Sequence, residues 1–228
     1  SFEKTKKIQR LDRTVRAFLK SAMNIVLKTL LIVVVASILG VPMSTFVAII
    51  TAASLAIGLA LQGGLTNIAG GIIILCFKPF EIGDFIETSS YSGTVVDIGL
   101  IYTTINTPDN KRVVIPNGTV SNASVVDYSA YETRRLDLEL SVAYDSDIDM
   151  VKETLLSLAN AHELVLKDPA PFVRLGTHGD SALIFKLRVW VKNEDYWTVN
   201  FDLLEASKKV FDKRGIEIPF PQLDVHQK

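Results

Sequence analysis

The chain has 228 residues, 48% of them hydrophobic, and a formal net charge of −1. Its charge is uneven: residues 1–20, the basic head, carry seven bases and two acids, whereas residues 79–228 carry 15 bases and 23 acids. The excess of acidic residues in 79–228 argues against a nucleic-acid partner. A single cysteine and three scattered histidines offer no intrachain disulfide and no metal-ligand spacing, so neither metal nor cofactor is predicted.

An uncharged stretch at residues 29–77 follows the basic head and contains no Asp, Glu, Lys, Arg or His. A charge at the centre of a bilayer costs about 2.5–3.5 kcal/mol, so this stretch predicts membrane insertion. Gly40 and Pro42 divide it into two predicted spans, 22–39 and 45–62, each roughly 27 Å long as a helix. Two spans leave both chain ends on one side, which the basic head assigns to the cytoplasm.

After the second span, Gly63 and Gly64 are predicted to interrupt the helix, because adjacent glycines are a known kink site. Apolar residues at helical spacing then predict a second helix segment at 65–77, lying near the membrane surface and ending before Pro79.

The pattern becomes β-rich after residue 80, and the following turn residues predict a small β-barrel or sandwich at 81–130. Its predicted strands are 85–88, 93–97, 102–106 and 111–115. From Arg134 the order becomes β-α-β-β-α-β, which predicts a ferredoxin-like α+β domain at 131–220. Its predicted strands are 135–144, 172–175, 182–191 and 216–218, and its predicted helices are 147–166 and 197–213. The membrane region is 1–80, and a terminal strand is predicted within 221–228, at 224–226.

On a helical wheel of the second span, Leu55 and Leu59 point the same way and form a leucine stripe. Small residues flank this stripe on both sides: Ala48, Ala52, Ala56, Ala60 and Gly64 on one, and Thr51, Ser54 and Gly58 with Gln62 on the other. Two different small flanks favour head-to-tail contacts between copies, which close into a ring with the leucines facing its axis. Such a constriction blocks ions by dewetting. A tightly packed bundle without a pore fits the wheel equally well.

Several motifs together resemble the small-conductance mechanosensitive channel (MscS) family along essentially the whole chain. Residues 54–71, SLAIGLALQGGLTNIAGG, resemble its pore helix. Later matches are Lys78-Pro79-Phe80, Ile82-Gly83-Asp84, Gly93-Thr94-Val95, Ile115-Pro116-Asn117-Gly118, residues 142–149 (VAYDSDID), Arg188-Val189-Trp190 and residues 215–222 (GIEIPFPQ).

The resemblance implies a multi-pass channel of the bacterial inner membrane, assembled as a homoheptamer. Membrane tension would open it on hypo-osmotic shock, to release ions and small solutes. Its partners would be other copies and membrane lipid, with no nucleic acid. The C-terminal domain would lie in the cytoplasm, and residues near 224–226 would pair around the axis in a barrel shared by the subunits.

The resemblance also implies roles for individual residues. Leu55 and Leu59 would form the gate, Gly63 and Gly71 would be hinges, and Phe18, Leu61 and Asn67 would couple movements between helices and domains. The packing positions between neighbouring copies would be those that the wheel places beside the stripe: Ala48, Thr51, Ala52, Ser54, Ala56, Gly58 and Ala60.

The chain departs from the family pattern at Thr51 and Ser54, where the family more often has glycine, and at Glu81, where a basic residue is common. The family usually has one more span before the segment matching residue 1, and that span is expected to be missing here.

The alternative function is a membrane-anchored ligand-sensing module without a pore. An enzyme is not predicted, because the sequence shows no nucleophile–base pair.

Overall fold

The computed structural model describes residues 13–223 and 225. Its chain divides into two compact units, one up to Leu65 and one from Thr66 onwards. Helix α1 (Arg13–Ile38) begins nine residues before the predicted span, because the polar residues preceding the apolar stretch continue the same helix. The break after it is confirmed: Gly40 has a φ of +86°, and Pro42 stands directly before helix α2 (Met43–Phe77).

The predicted interruption at Gly63 and Gly64 is wrong, because α2 is one continuous helix of 35 residues. A glycine inside a helix costs about 1 kcal/mol relative to alanine. In an apolar environment, each unpaired backbone N–H or C=O costs several kcal/mol, on the order of a lost hydrogen bond to water. The continuous hydrogen-bond ladder therefore outweighs the local preference of the two glycines. The helix ends before Pro79, as predicted.

A five-stranded antiparallel sheet follows, with strand order β4-β3-β2-β1-β5. Its strands are β1 (Phe85–Glu87), β2 (Ser92–Ile98), β3 (Tyr102–Asn106), β4 (Arg112–Pro116) and β5 (Val126–Asp127). The four predicted strands are confirmed, with ends that differ by one residue at most. The short helix α3 (Asn117–Asn122) and β5 were not predicted.

The core of this β domain includes a residue from the preceding helix. Ile74 of α2 is 1% exposed and packs with Phe80 against the inward-facing side chains of the sheet: Ile86, Val95, Ile105 and Ile115, with Val120 of α3. Through Ile74, the C-terminal half of α2 therefore contributes to the β domain's hydrophobic core.

The C-terminal domain packs two helices on a three-stranded antiparallel sheet of order β6-β8-β7. Its elements are β6 (Thr133–Val142), α4 (Ile148–Ala161), β7 (Phe172–His178), β8 (Leu183–Lys192), a 3₁₀ turn (Asn193–Asp195) and α5 (Tyr196–Arg214). The Asp147 carboxylate accepts hydrogen bonds from the backbone N–H groups of Asp149 and Met150 and caps α4. Gly215 ends α5 in the left-handed conformation, with a φ of +69°.

Two predictions for this domain are wrong in detail. Helix α4 ends at Ala161, five residues before the predicted end, because His162 is extended. Residues 216–218 are in no strand, although Glu217 O accepts a 2.9 Å hydrogen bond from Ala143 N. Pro219 and Pro221 follow and have no N–H to extend a ladder. The fourth strand that a ferredoxin-like sheet needs is thus absent from the described residues, and this part of the fold stays a prediction.

The terminal strand predicted within 221–228 lies partly outside the described residues, which omit Asp224 and residues 226–228. Residues 221–223 and 225 are in no helix or strand. Gln222 N donates a 3.0 Å hydrogen bond to Ser181 Oγ, which ties the start of this segment to the C-terminal domain.

Candidate functional site

Within the described residues, helices α1 and α2 contain the two stretches that are long and apolar enough to cross a membrane, Val15–Ile38 and Met43–Phe77. Each has a mean hydropathy of 2.1, and none of the apolar window in either is buried by the chain itself. Along α1 and most of α2, apolar side chains exposed to water would carry a large free-energy cost. Lipid, or further copies of the chain, must therefore cover them.

The leucine stripe lies on the N-terminal half of α2, where Leu55 and Leu59 are 65% and 64% exposed. The predicted packing residues on its two sides are all exposed as well: Ala48, Thr51, Ala52, Ser54, Ala56, Gly58 and Ala60. A Cβ added at Gly58 would meet no atom within 4 Å. No contact within the described part of the chain therefore explains why these positions are small.

The predicted coupling residues have different surroundings. Phe18 and Leu61 are 70% and 56% exposed in the single chain. Asn67 is half-buried, and its side-chain Oδ1 accepts a 2.9 Å hydrogen bond from the backbone N–H of Gly118 in α3. Of these three residues, the structure brings only Asn67 into a described contact with the β domain.

Two glycines, one turn of helix beyond Asn67, pack directly against the β domain's backbone. A Cβ on Gly70 would lie 2.6 Å from Asn117 O, and one on Gly71 would lie 2.1 Å from Leu100 O. Real Cβ atoms do not approach oxygen this closely, so both positions require glycine for the approach itself. We call these contacts, together with the Asn67–Gly118 hydrogen bond, the junction.

Asn117 is the fully buried polar side chain at the centre of the junction. Its Oδ1 accepts a 2.8 Å hydrogen bond from Thr103 Oγ1, and its Nδ2 donates a 2.8 Å hydrogen bond to Gly99 O. Its backbone N–H donates to Ile101 O at 2.8 Å. These bonds fix the loop between β2 and β3 against the start of α3, where Leu100 O faces Gly71.

The sequence did not single out Asn117, Leu100 or Gly70 as parts of a site. The Pro116-Asn117-Gly118 motif was the available signal, but locally it predicts only a turn, which gives no information on the partners of its residues.

The two predicted hinge residues have different surroundings. Gly71 is held against the β domain, whereas a Cβ on Gly63 would meet nothing within 4 Å. No group of three or more His, Cys, Asp or Glu side chains within residues 13–223 is placed to hold a metal ion.

Two protein-family models match the chain. The mechanosensitive ion channel β-domain model matches residues 64–130, and the model of the C-terminal part of the mechanosensitive ion channel MscS matches residues 136–218. The first match begins at Gly64, within α2, so it includes the part of the helix that contributes to the junction.

Known proteins match over most of the chain. An uncharacterised MscS family protein of Buchnera aphidicola is 40% identical over 216 residues, which cover 95% of this chain and 71% of that protein. The small-conductance mechanosensitive channel of Edwardsiella ictaluri is 43% identical over 175 residues, 77% of this chain and 61% of the channel. The crystal structure of Helicobacter pylori MscS in a closed state aligns with a TM-score of 0.91 at 31% identity, covering 99% of this chain and 90% of the other.

Proposed function

The chain belongs to the MscS family of mechanosensitive ion channels, and we propose that it is one subunit of a tension-opened channel gated by Leu55 and Leu59. The observation that carries this proposal is the N-terminal half of α2. An exposed leucine stripe runs there between two exposed rows of small residues. The open channel releases ions and small solutes on hypo-osmotic shock.

The physical argument for tension gating rests on area. When copies pack side by side through their small residues, the leucine stripes meet near the axis and exclude water from a narrow passage. Widening the ring separates the leucines and increases the in-plane area of the protein. Membrane tension performs work in proportion to that area, so it favours the wide, hydrated state.

The proposed assembly is a homoheptamer surrounded by lipid in the bacterial inner membrane. Two dissimilar small-residue flanks support its ring form, because a head-to-tail contact between unlike surfaces makes a ring when the rotation closes, whereas a two-fold dimer needs like surfaces. The basic head supports an orientation in which the C-terminal domain lies in the cytoplasm.

The junction is proposed to transmit movement between α2 and the β domain through Asn67 and Gly71. Its support is the direct backbone approach at Gly71 and the hydrogen bond from Gly118 N to Asn67 Oδ1. Phe18 and Leu61 are proposed to transmit tension from the lipid-facing helix, and Gly63 and Gly71 are proposed as the hinges. Unlike Gly71, the exposed residues Phe18, Leu61 and Gly63 have no comparable contact within the described chain.

The experiment that tests the gate is patch-clamp recording of the protein in liposomes during suction ramps. We expect currents that appear reproducibly with suction, and a Leu59→Ser variant whose closed state already leaks current because a hydroxyl hydrates the constriction. Ile57→Ser is the matched control. It makes a similar change on the opposite side of the helix, at a residue that is also exposed.

The two variants separate the possible outcomes. An unchanged closed-state conductance in Leu59→Ser, or an equal change in both variants, would contradict the gate assignment. Silence of the inserted parent protein across all ramps would contradict channel activity and favour a membrane-anchored ligand-sensing module.

A further inference from the structure

A cavity of about 1070 Å³ lies between the β domain and the C-terminal domain, within the second unit of the chain. Strands β1 and β2, the loop after β3 and the start of α5 contribute to its lining. Its charged side chains are Glu87, Arg134 and Glu194, and its aromatic side chains include Tyr128, Tyr196 and Trp197. The volume slightly exceeds the range of about 300–1,000 Å³ that is usual for small-molecule sites.

Arg134 has an unusual position in this lining. Its guanidinium carbon lies 4.1 Å from the ring centroid of Tyr128 and 4.0 Å from that of Tyr196. Aromatic contacts of this kind stabilise a guanidinium and fix its orientation. Among the described residues, no side-chain hydrogen bond and no ion pair reaches the Arg134 guanidinium, so the N–H donors of this group are open to a further partner.

A planar carboxylate is the partner that best fits these donors, because guanidinium and carboxylate form two parallel charge-assisted hydrogen bonds. The ring contacts hold the side chain in place before anything binds, which lowers the entropy cost of binding. A lysine at this position would provide the charge without the planar arrangement of donors.

The other charges of the cavity are negative. Glu87 accepts a hydrogen bond from the Tyr128 hydroxyl, and this bond raises the pKa of Tyr128 above its ordinary value, so the hydroxyl stays protonated and donating. Glu194 adds a second carboxylate to the lining. A simple anion would be repelled by both carboxylates, whereas a ligand with an ammonium group beside its carboxylate would be attracted by Glu87 and Arg134 together.

We infer that this cavity binds a small amino-acid-type zwitterion, with its carboxylate on the Arg134 guanidinium and its ammonium group facing Glu87. This site lies outside the proposed gate, and its occupancy is measured without recording a current. The binding inference and the channel proposal can therefore fail separately.

The test is a titration of the full chain, solubilised in detergent, with glycine as the probe. The chain has two tryptophans, so a Trp190→Phe background leaves Trp197, in the cavity lining, as the only indole reporter. We expect a saturable fluorescence change, with the same midpoint by calorimetry. Acetate and methylammonium each lack one charge of the zwitterion, and we expect each to bind about tenfold more weakly than glycine.

Arg134→Gln should weaken glycine binding by about tenfold or more, and Arg134→Lys should fall between this variant and the parent. The matched control is Arg174→Gln. Arg174 also lies beside an aromatic ring, 5.5 Å from the Phe172 centroid, but it is not in the cavity lining. We expect this control to bind glycine as the parent does.

Glu87→Gln keeps an acceptor for the Tyr128 hydroxyl and removes the negative charge. We expect it to lower the affinity for glycine to that for acetate, and this variant decides the question if Arg134→Gln does not assemble. Three results would overturn the inference: no saturable binding of glycine to the parent, equal affinity of the parent for glycine and acetate, or an unchanged glycine midpoint in Arg134→Gln.

Discussion

The two halves of α2 both contain glycines, but their surroundings differ. In the N-terminal half, a Cβ added at Gly58, Gly63 or Gly64 would meet no atom within 4 Å. In the C-terminal half, a Cβ at Gly70 or Gly71 would lie 2.6 Å or less from a backbone oxygen. Small residues in the second half are therefore explained by contacts within one chain. Those in the first half are explained only by the contacts that we propose between copies.

The largest expected effect is that of Gly71→Ala. The new Cβ would lie 2.1 Å from Leu100 O and 2.6 Å from Asn117 Nδ2, and neither belongs to a flexible side-chain end. Separating α2 from the β domain should lower the free energy of unfolding by about 3 kcal/mol, the upper end for overpacked sites. The measurement is denaturant unfolding of the detergent-solubilised protein, followed by tryptophan fluorescence.

Gly64→Ala is the control for this experiment, since it makes the same substitution in the open half of the helix. We expect its unfolding midpoint to equal or slightly exceed that of the parent, because alanine favours a helix by about 0.5–1 kcal/mol relative to glycine. Equal destabilisation by the two substitutions would remove the contrast between the halves of α2.

Asn117→Ala tests the centre of the junction. It leaves the Thr103 hydroxyl and Gly99 O without their 2.8 Å partners in a site where Asn117 is fully buried. A buried polar group left unsatisfied costs about 1–3 kcal/mol, so we expect a loss of about 2 kcal/mol in unfolding free energy.

Asn122→Ala provides the comparison for Asn117→Ala. Asn122 is exposed, and its Nδ2 donates one 2.7 Å hydrogen bond to Gly118 O, where water can replace the lost donor. We expect a cost below about 1 kcal/mol. A loss at Asn122 as large as that at Asn117 would show that the buried network does not set the stability of the junction.

The contrast between the halves also shows what the sequence could predict. The spans and the four β-domain strands follow from local patterns of apolar residues and turn residues, and the structure confirms them. The junction depends on Leu100 O, a backbone oxygen that any residue type would present, far along the chain from Gly71. No local pattern indicates such a contact.

The wrong predictions have related causes. Two adjacent glycines locally favour a kink, but the helix around Gly63 and Gly64 keeps its hydrogen bonds because an apolar environment offers no replacement. Residues 216–218 have the alternation of a strand, but the prolines after them limit the ladder to the one backbone hydrogen bond from Ala143 N. In both places the competing requirement was for backbone hydrogen bonds, which side-chain patterns do not reveal.

Asn67→Leu is expected to lower the free energy of unfolding only slightly and to change the gating of the channel clearly. It removes the acceptor of the Gly118 N–H at a half-buried site, so the unfolding free energy should fall by about 1 kcal/mol. If the junction transmits movement, the variant should also change how quickly currents decay under sustained suction. Asn67→Asp keeps the acceptor oxygen and should resemble the parent, and a decay unchanged in both variants would contradict the coupling role.

Gly63→Ala is expected to have the smallest effect on stability, because its methyl group meets nothing within 4 Å in the single chain. Alanine should favour the continuous helix by about 0.5–1 kcal/mol, and the same preference opposes any bend that the helix needs at this position. A hinge at Gly63 therefore predicts slower closure or altered desensitisation in patch recordings, with an unfolding midpoint equal to or slightly above that of the parent. Gly64→Ala serves as the control, because it adds the same preference for helix one residue away from the proposed hinge. Identical currents from the parent and Gly63→Ala would remove Gly63 as the hinge, and the open space around it would then have to be explained by packing between copies alone.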